Sequence, residues 1–481
     1  MRLSVERLLR TPDVRRAELH RSVSISGGRI SALDAAHRGE GAGLLAMPAP
    51  ANAHDHARAV KPAALGALEL PLELWLSAIS GAPRVDPYVI AAVALGRSAL
   101  GGQAAVMMHY LRPQGGMPLV DEAREVARAA GDIGVRVGFA VALRDRNWLA
   151  YGDDELTLRL VPQSDREAVR RRLVPRSAAP AEQVALVEEI ARAVESDLFT
   201  VQFGPTGVQW CSDALLEAVA ERSGATGRRV HMHLLETRYQ REWADKAHPG
   251  GVVKHLDAIG LLSPRLSVAH AVWARPEELD LLAQRGVTIC LNNSSNLGVR
   301  SGLAPVRDMR RAGVPIAIGL DGLGIDDDDD VLRELRLAWL LHQGLGLEES
   351  LDAETLAKAA CDTGRFVVTG IAEPAALEPG RLADLLVLDH AALARDLVAD
   401  DVPELPLVLA RATSRHIRAL YVGGRPVVSE GRLTGVGLAA LEREMIAQLR
   451  SGMREFNDWQ RTVLRLRAAL TRFYATGMHC S

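Results

Sequence analysis

Apolar residues in the middle of the chain fall in short unbroken runs rather than in alternation with polar ones. Eight such runs stand out: GLLAMP (43–48), QAAVMMH (103–109), VRVGFAVA (135–142), LFTVQFG (198–204), RRVHMHL (228–234), LSVAHAV (266–272), VTICLN (287–292) and VPIAIGLD (314–321). A strand that is apolar on both faces belongs to a covered parallel sheet. Between the runs lie helical patterns. ALLEAVAERSG (214–224) repeats Leu215, Leu216, Val219 and Ala220 at helical spacing and stops at Gly224, and PEELDLLAQRG (276–286) opens on Pro276 and stops at Gly286. Eight strand–helix units predict an α/β chain whose core is a (β/α)8 barrel of the TIM type.

The flanks carry a different pattern. ELHRSVSISGGRISALDA alternates polar and apolar positions around Gly27-Gly28, as a hairpin does. GRLADLLVLD and IRALYVGGRPVVSEGR, within 380–430, are also strand-like with glycine turns. The two flanks are therefore expected to meet in one small β-sandwich domain built from both chain ends. The organisation read this way is 1–46 and 373–433 for the two parts of the small domain, 47–372 for the barrel, and 434–481 for a helical extension. In that extension Leu438, Leu441, Met445 and Leu449 recur at helical spacing, and a helix packed on the barrel is expected. The connection at about 143–197 exceeds a minimal loop, and long loops at the C-terminal face of a barrel often act as lids.

Composition narrows the function. The 481 residues are 48% hydrophobic and 24% charged with a net charge of −3, which is ordinary for a globular protein and offers no basic field for nucleic acid. The four cysteines lie far apart and form no CxxC pair, so a reducing, cytoplasmic setting is expected. The N-terminus lacks a signal-peptide core, and no run reaches the roughly 18 apolar residues of a membrane span. A homodimer stands as a candidate assembly.

The chemistry sits at the predicted strand ends. His54 and His56 follow the first strand in NAHDHA; two apart in extended backbone, they project to the same side. His231 and His233 lie on the fifth strand with Glu236 just beyond, His270 ends the sixth, and Asp321 ends the eighth. In a barrel these positions converge on one mouth, and imidazoles plus a carboxylate make a catalytic site for zinc or another first-row divalent ion.

With these motifs the chain resembles the amidohydrolase superfamily, in particular its cytosine, guanine and S-adenosylhomocysteine deaminase branch. MPAPANAHDHA, HMHLLET, SVAHAVW, NNSSNLGVRSGLAPVRDMRRAGVPIAIGLDG and LEPGRLADLLVLD carry the resemblance, which runs through nearly the whole chain. It implies that His54, His56, His233 and Asp321 hold the metal. Glu236 would shuttle protons, and His270 would polarise the substrate or steady the hydroxide, so that Glu236, His270 and Asp321 form the catalytic set. His231, deeper in the barrel, is assigned to the surroundings of the site or the core, and His109, ending the second strand, to a place where it could line the pocket. Members with two metals bridge them through a carboxylated lysine or a glutamate on the fourth strand. LFTVQFG offers neither, so one metal per chain is expected, zinc first and iron or manganese as alternatives. Ala49 departs from the usual glycine before the paired histidines, and NNSSN (292–296) stands where relatives often carry a histidine. IDDDDD (325–330) reads as a solvated acidic loop that caps the next helix.

The expected reaction is hydrolytic deamination of an aminated nitrogen heterocycle. A bound ion lowers the pKa of its water from about 15.7 toward about 7, the resulting hydroxide attacks, and ammonia leaves. Thr206, Gln209 and Trp210 after the fourth strand, with Asn292 and Asn293 after the seventh, are the candidate substrate contacts: amides for ring edges, the indole for stacking. Arg58 and Lys61 sit on the first loop, where they could meet an anion. The same machinery would serve a triazine chloro- or aminohydrolase or a cyclic amidohydrolase. A non-catalytic binding barrel would not need Glu236, His270 and Asp321.

Overall fold

A computed structural model describes residues 1–111, 113–114, 116–399 and 401–480. The barrel is an eight-stranded parallel sheet: Ala51–Asp55, Ala105–Tyr110, Arg136–Leu143, Phe199–Pro205, Val230–Leu234, Leu266–His270, Thr288–Leu291 and Ile316–Ile318, paired in chain order. The first and last strands meet through the Asp321 amide, which donates to the His54 carbonyl at 2.9 Å. Ala51, Ala53, Ala105, Met107, Ala140, Cys290 and Ala317 pack together, helices cover the outside, and the barrel strands are buried except for single positions.

Seven of the eight apolar runs are barrel strands; the first is not. Leu44–Pro48 pairs with Leu385–Asp389 and Arg2–Leu8 in a second, mixed eight-stranded sheet made from both chain ends. The barrel's first strand begins three residues later, at Ala51. Both segments are buried, so their apolar patterns look alike, and Pro48 and Pro50 mark the break between them because neither can donate to a ladder. The expected hairpin forms from Glu18–Ser26 and Arg29–Ala35. Gly27 and Gly28 both have positive φ (57° and 76°), as a two-residue hairpin turn of this hand demands. The sheet folds over itself: Val23, Ile25 and Ile30 of the hairpin pack with Leu385 and Val387 of the C-terminal half.

The helical extension is one continuous helix, Leu438–Ala475. At 1.5 Å per residue it is about 57 Å long. One face buries Met445, Leu449, Phe456, Trp459, Val463, Leu466, Leu470, Phe473 and Tyr474. The 143–197 connection folds into three helices, Asp154–Leu160, Gln163–Leu173 and Pro180–Val194. The acidic run differs from expectation. Asp330 does cap the helix Val331–His342, but Lys61 and Asp329 form an ion pair of 2.8 Å in which each side chain is 9% exposed, so this part of the loop is a buried tether rather than a solvated tail.

Candidate functional site

Strand geometry brings the histidines together. His54 and His56 leave the first strand end, His233 the fifth, His270 the sixth and Asp321 the last. His270 and Asp321 adopt positive φ (74° and 57°), rare for side-chain-bearing residues, and strained backbone of this kind clusters where function over-determines it. Gly319 shows how tight the floor is: a Cβ there would lie 2.3 Å from Asn292 Oδ1 and 2.8 Å from the His54 amide nitrogen.

Each imidazole is fixed through one nitrogen. His56 Nδ1 lies 2.8 Å from the His109 carbonyl and His233 Nδ1 2.7 Å from the Thr206 carbonyl, so both donate there and leave Nε2 as an acceptor. His270 Nδ1 is 2.8 Å from Asn296 Oδ1. His54 Nδ1 is 2.8 Å from His231 Nε2, and His231 Nδ1 is 2.7 Å from Ser267 Oγ. Both nitrogens of His231 are thereby engaged, and it serves to orient His54. Burial depresses the protonation of His54, to about 4, and holds His109, His231 and His233 well below the usual imidazole range. Their lone pairs are available.

Those lone pairs converge. His54 Nε2 and His56 Nε2 lie 3.4 and 3.0 Å from Asp321 Oδ1, and His233 Nε2 lies 3.4 Å from His56 Nε2. His54 Nε2, His270 Nε2 and Asp321 Oδ1 are buried with no hydrogen-bond partner. Acceptors crowd together this way around a cation: ligands about 2.0–2.2 Å from a tetrahedral zinc are themselves about 3.3–3.6 Å apart. The donor set fits a divalent ion. Asp321 is further fixed by Ser295, whose hydroxyl donates to Oδ2 at 2.6 Å. Burial alone would raise the Asp321 pKa, but His54 and His56 outweigh it and hold the carboxyl well below its usual range.

Glu236 stands beside this cluster, with Oε2 3.7 Å from His270 Nε2 and Oε1 3.4 Å from Ser301 Oγ. Burial lifts its pKa to about 7, partly countered by His270. A carboxyl that is half protonated near neutral pH suits proton transfer.

A cavity of about 1340 Å³ opens above the cluster. His56, His233, Glu236, His270 and Asp321 line its floor, and Thr206 and Trp210 stand on its wall. The other sequence candidates lie behind that wall. Asn293 Oδ1 accepts from His342 Nε2 at 2.7 Å, Asn292 Nδ2 reaches His270 and the Cys290 carbonyl, His109 Nε2 donates to the Gly204 carbonyl, and the buried Gln209 has an unpartnered Nε2. Trp210, 6% exposed, both faces the cavity and packs edge-on against Tyr151 at 5.6 Å.

Sequence reasoning missed much of the wall. Glu73 and Trp75 come from the first loop, Arg144, Trp148 and Tyr151 from the long connection, and Phe456, Trp459 and Tyr474 from the terminal helix. Arg58 stacks on Trp75 at 4.7 Å. The Tyr151 hydroxyl donates to Glu73 Oε1 at 3.2 Å, and Thr237 Oγ1 donates to the same oxygen. Asn296 and Ser295, which fix two site residues, lie in the NNSSN turn, whose sequence candidates are Asn292 and Asn293 instead.

The description "Amidohydrolase family" belongs to the family model that matches residues 45–427. A 5-methylthioadenosine/S-adenosylhomocysteine deaminase of Thermococcus sibiricus is 31% identical over 266 residues, 55% of this chain and 56% of that protein. A 5'-deoxyadenosine deaminase of Methanopyrus kandleri is 30% identical over 49% of this chain and 54% of its own length. The chain thus spans about half the length of these curated relatives. In fold it is similar to a zinc-bound adenosine deaminase of Xanthomonas campestris (TM-score 0.75, 22% identity, 95% of this chain and 98% of the other). It is also similar to a zinc-complexed atrazine chlorohydrolase of Arthrobacter aurescens (TM-score 0.77, 21% identity, 93% and 99%).

Proposed function

The chain belongs to the amidohydrolase family, and from that premise we propose that it is a metal-dependent hydrolytic deaminase acting on an aminated nitrogen heterocycle with release of ammonia. The observation that carries this reading is the convergence of ring nitrogens of His54, His56 and His233 on Asp321 Oδ1, with His54 Nε2 and Asp321 Oδ1 buried and unpartnered, next to a buried carboxyl, Glu236, whose pKa burial pushes up to about 7.

The four residues named would hold one divalent ion, zinc by preference. Bound there, it would act as a Lewis acid and bring the pKa of a water down toward about 7. Asp321 Oδ1 accepts the proton of the attacking water, while Ser295 keeps Oδ2 in place. Glu236 delivers its proton to a ring nitrogen and, recharged with the proton that Asp321 took from the water, delivers a second to the departing amine; the last hydroxyl proton returns to Glu236 as the carbonyl forms. His270, held by Asn296, presents Nε2 to the substrate from beside Glu236. Thr206 and Trp210 border the substrate on one side. A single ion is favoured because the fourth barrel strand offers no lysine or glutamate, and its Gln202 amide donates to the Val367 and Val368 carbonyls.

The cavity exceeds the ~300–1,000 Å³ of ordinary small-molecule sites, leaving room for a ring with a large substituent. 5-Methylthioadenosine, S-adenosylhomocysteine and 5'-deoxyadenosine, for which the aligned relatives are named, are therefore the first substrates to try. The four cysteines form no disulfide, and no helix among the described residues is long and apolar enough to cross a membrane; a cytosolic enzyme fits both facts. The test is a screen of aminated heterocycles for ammonia release by zinc-loaded protein. Release from at least one ring, lost in Glu236→Gln, is expected. Chloride release from chlorotriazines or opening of cyclic amides, with no ammonia from any aminated ring, would replace the deaminase reading.

A further inference from the structure

Away from the barrel mouth, three helices bring together a second set of metal-binding side chains. Asp213 opens the helix Asp213–Thr226, His248 ends the helix Arg238–Ala247, and His255 lies in Val252–Ala258. None of the three lines the central cavity. One ligand atom from each lies within 4.8 Å of the other two. His255 Nε2 is 3.2 Å from Asp213 Oδ1, and the two imidazoles stack with centroids 4.2 Å apart at 27°. His248 Nε2 is buried without a hydrogen-bond partner, although the residue as a whole is only half-buried.

We propose that Asp213, His248 and His255 form a second, peripheral binding site for a divalent transition metal such as zinc, distinct from the cluster at the barrel mouth. Two imidazoles and a carboxylate leave a fourth position to water, which is a donor set suited to zinc, nickel or copper and poor for magnesium or calcium. The 3.2 Å spacing of His255 and Asp213 matches neighbouring ligands on one tetrahedral ion, whose separation is about 3.3 Å for bonds of about 2.0–2.1 Å. His248 completes the set with a ring nitrogen within 4.8 Å of the other two ligand atoms.

The site would brace the wall behind the cavity. Asp213 follows Ser212, whose amide and hydroxyl both donate to Asp145. Asp145 adjoins Arg144, which stacks over Trp210 at 5.2 Å. Next to it, Arg146 lies over Trp243 at 5.5 Å, and Trp243 packs edge-on against His248. An ion at the periphery therefore ties together helices whose ends support the Trp210 side of the pocket.

The experiment is zinc titration of chelator-stripped full-length protein by calorimetry, with bound metal counted after gel filtration. It is run on wild type, His255→Ala, Asp213→Asn and Asp321→Ala. Wild type is expected to show two classes of zinc site, the weaker with a Kd below about 10 µM. His255→Ala should abolish only the weaker class, Asp213→Asn should weaken it at least tenfold, and both should keep ammonia release unchanged at one zinc per chain. Asp321→Ala should lose the tighter class and keep the weaker, so a failure of the deaminase reading and a failure of this site give different results. A single class in wild type, a second class untouched by His255→Ala, or binding only at millimolar zinc would overturn the proposal. Magnesium in place of zinc should give no binding at this site.

Discussion

The floor and the wall of the cavity are built by different rules. On the floor, His54, His56, His233, His270 and Asp321 come from strand ends a few residues long, and each has a second atom pinned by a neighbour: His231 for His54, a carbonyl for His56 and His233, Asn296 for His270, Ser295 for Asp321. On the wall, Tyr151, Trp210 and the pair Trp459 and Tyr474 come from three distant segments, the last two from the terminal helix, and are held mainly by packing. Tyr151 sits edge-on to both Trp210 and Tyr474, and Trp459 donates to Ser80 Oγ at 3.0 Å. The floor is preorganised by directional bonds whose purpose is to leave acceptors free; the wall is ordinary core that happens to face a void. Mutations in the two should separate chemistry from stability.

The largest effect should come from the floor. Asp321→Ala removes the only carboxylate of the inferred metal set. It should lose the tighter zinc class and turnover together, read by elemental analysis and ammonia release on one preparation in the His255→Ala background. If activity survived with the metal gone, the floor would be misassigned. Next, Glu236→Gln should keep the metal but lower kcat about 100-fold or more, since a positioned acid–base group contributes about 10²–10⁴-fold. Loss of metal equal to that in Asp321→Ala would make Glu236 a ligand.

The wall should answer differently. Trp459→Ala empties a buried indole and cuts the bond to Ser80, so stability should fall by about 3–5 kcal/mol while metal content stays at the wild-type level. Denaturant unfolding with metal analysis checks it; metal loss in the folded variant would erase the contrast between floor and wall. Ser267→Ala tests the reach of the floor's support. It frees His231 Nδ1, two bonds removed from the inferred ion through His54, and should weaken zinc affinity about tenfold.

The smallest effect is a pH dependence of metal-free stability. Burial raises the folded pKa of Glu236 to about 7 from the usual 4.5. A raised carboxyl pKa means that the folded state holds its proton where the unfolded chain has released it. The contribution to stability is therefore whole below about 4.5 and is lost as pH rises through about 7. Glu236→Gln removes this loss, so the metal-free variant should gain thermal midpoint over wild type at pH 8 more than at pH 5. An equal difference at both pH values would mean that the carboxyl titrates normally.

The same contrast explains what could be read from the chain alone. Floor residues are legible because a strand end fixes direction: two histidines two apart, a glutamate three beyond a histidine, and an aspartate closing the last strand carry their geometry in their spacing. Seven of the eight barrel strands were legible for the same reason. Ala51–Asp55 was not, because Leu44–Pro48, buried in the end sheet, has the same unbroken apolar pattern as a barrel strand and stood in its place. Wall residues such as Glu73, Arg144 and Trp459 carry no local signal. Trp459 lies on an apolar face that predicts packing, and only the tertiary path of the long helix turns part of that face toward the cavity. Asn292 and Asn293 illustrate the reverse: they follow a strand end, yet their amides turn inward to His270 and His342.

The central claim is that one ion, held by His54, His56, His233 and Asp321, carries the activity. The most direct test is stepwise reconstitution of the metal-free His255→Ala protein with zinc, which removes the peripheral cluster from the stoichiometry. Ammonia release from an accepted aminated heterocycle is followed at each step. The account predicts a linear rise that levels off at one zinc per chain. A plateau at two equivalents, or turnover that does not depend on zinc or on any other divalent ion, would contradict it.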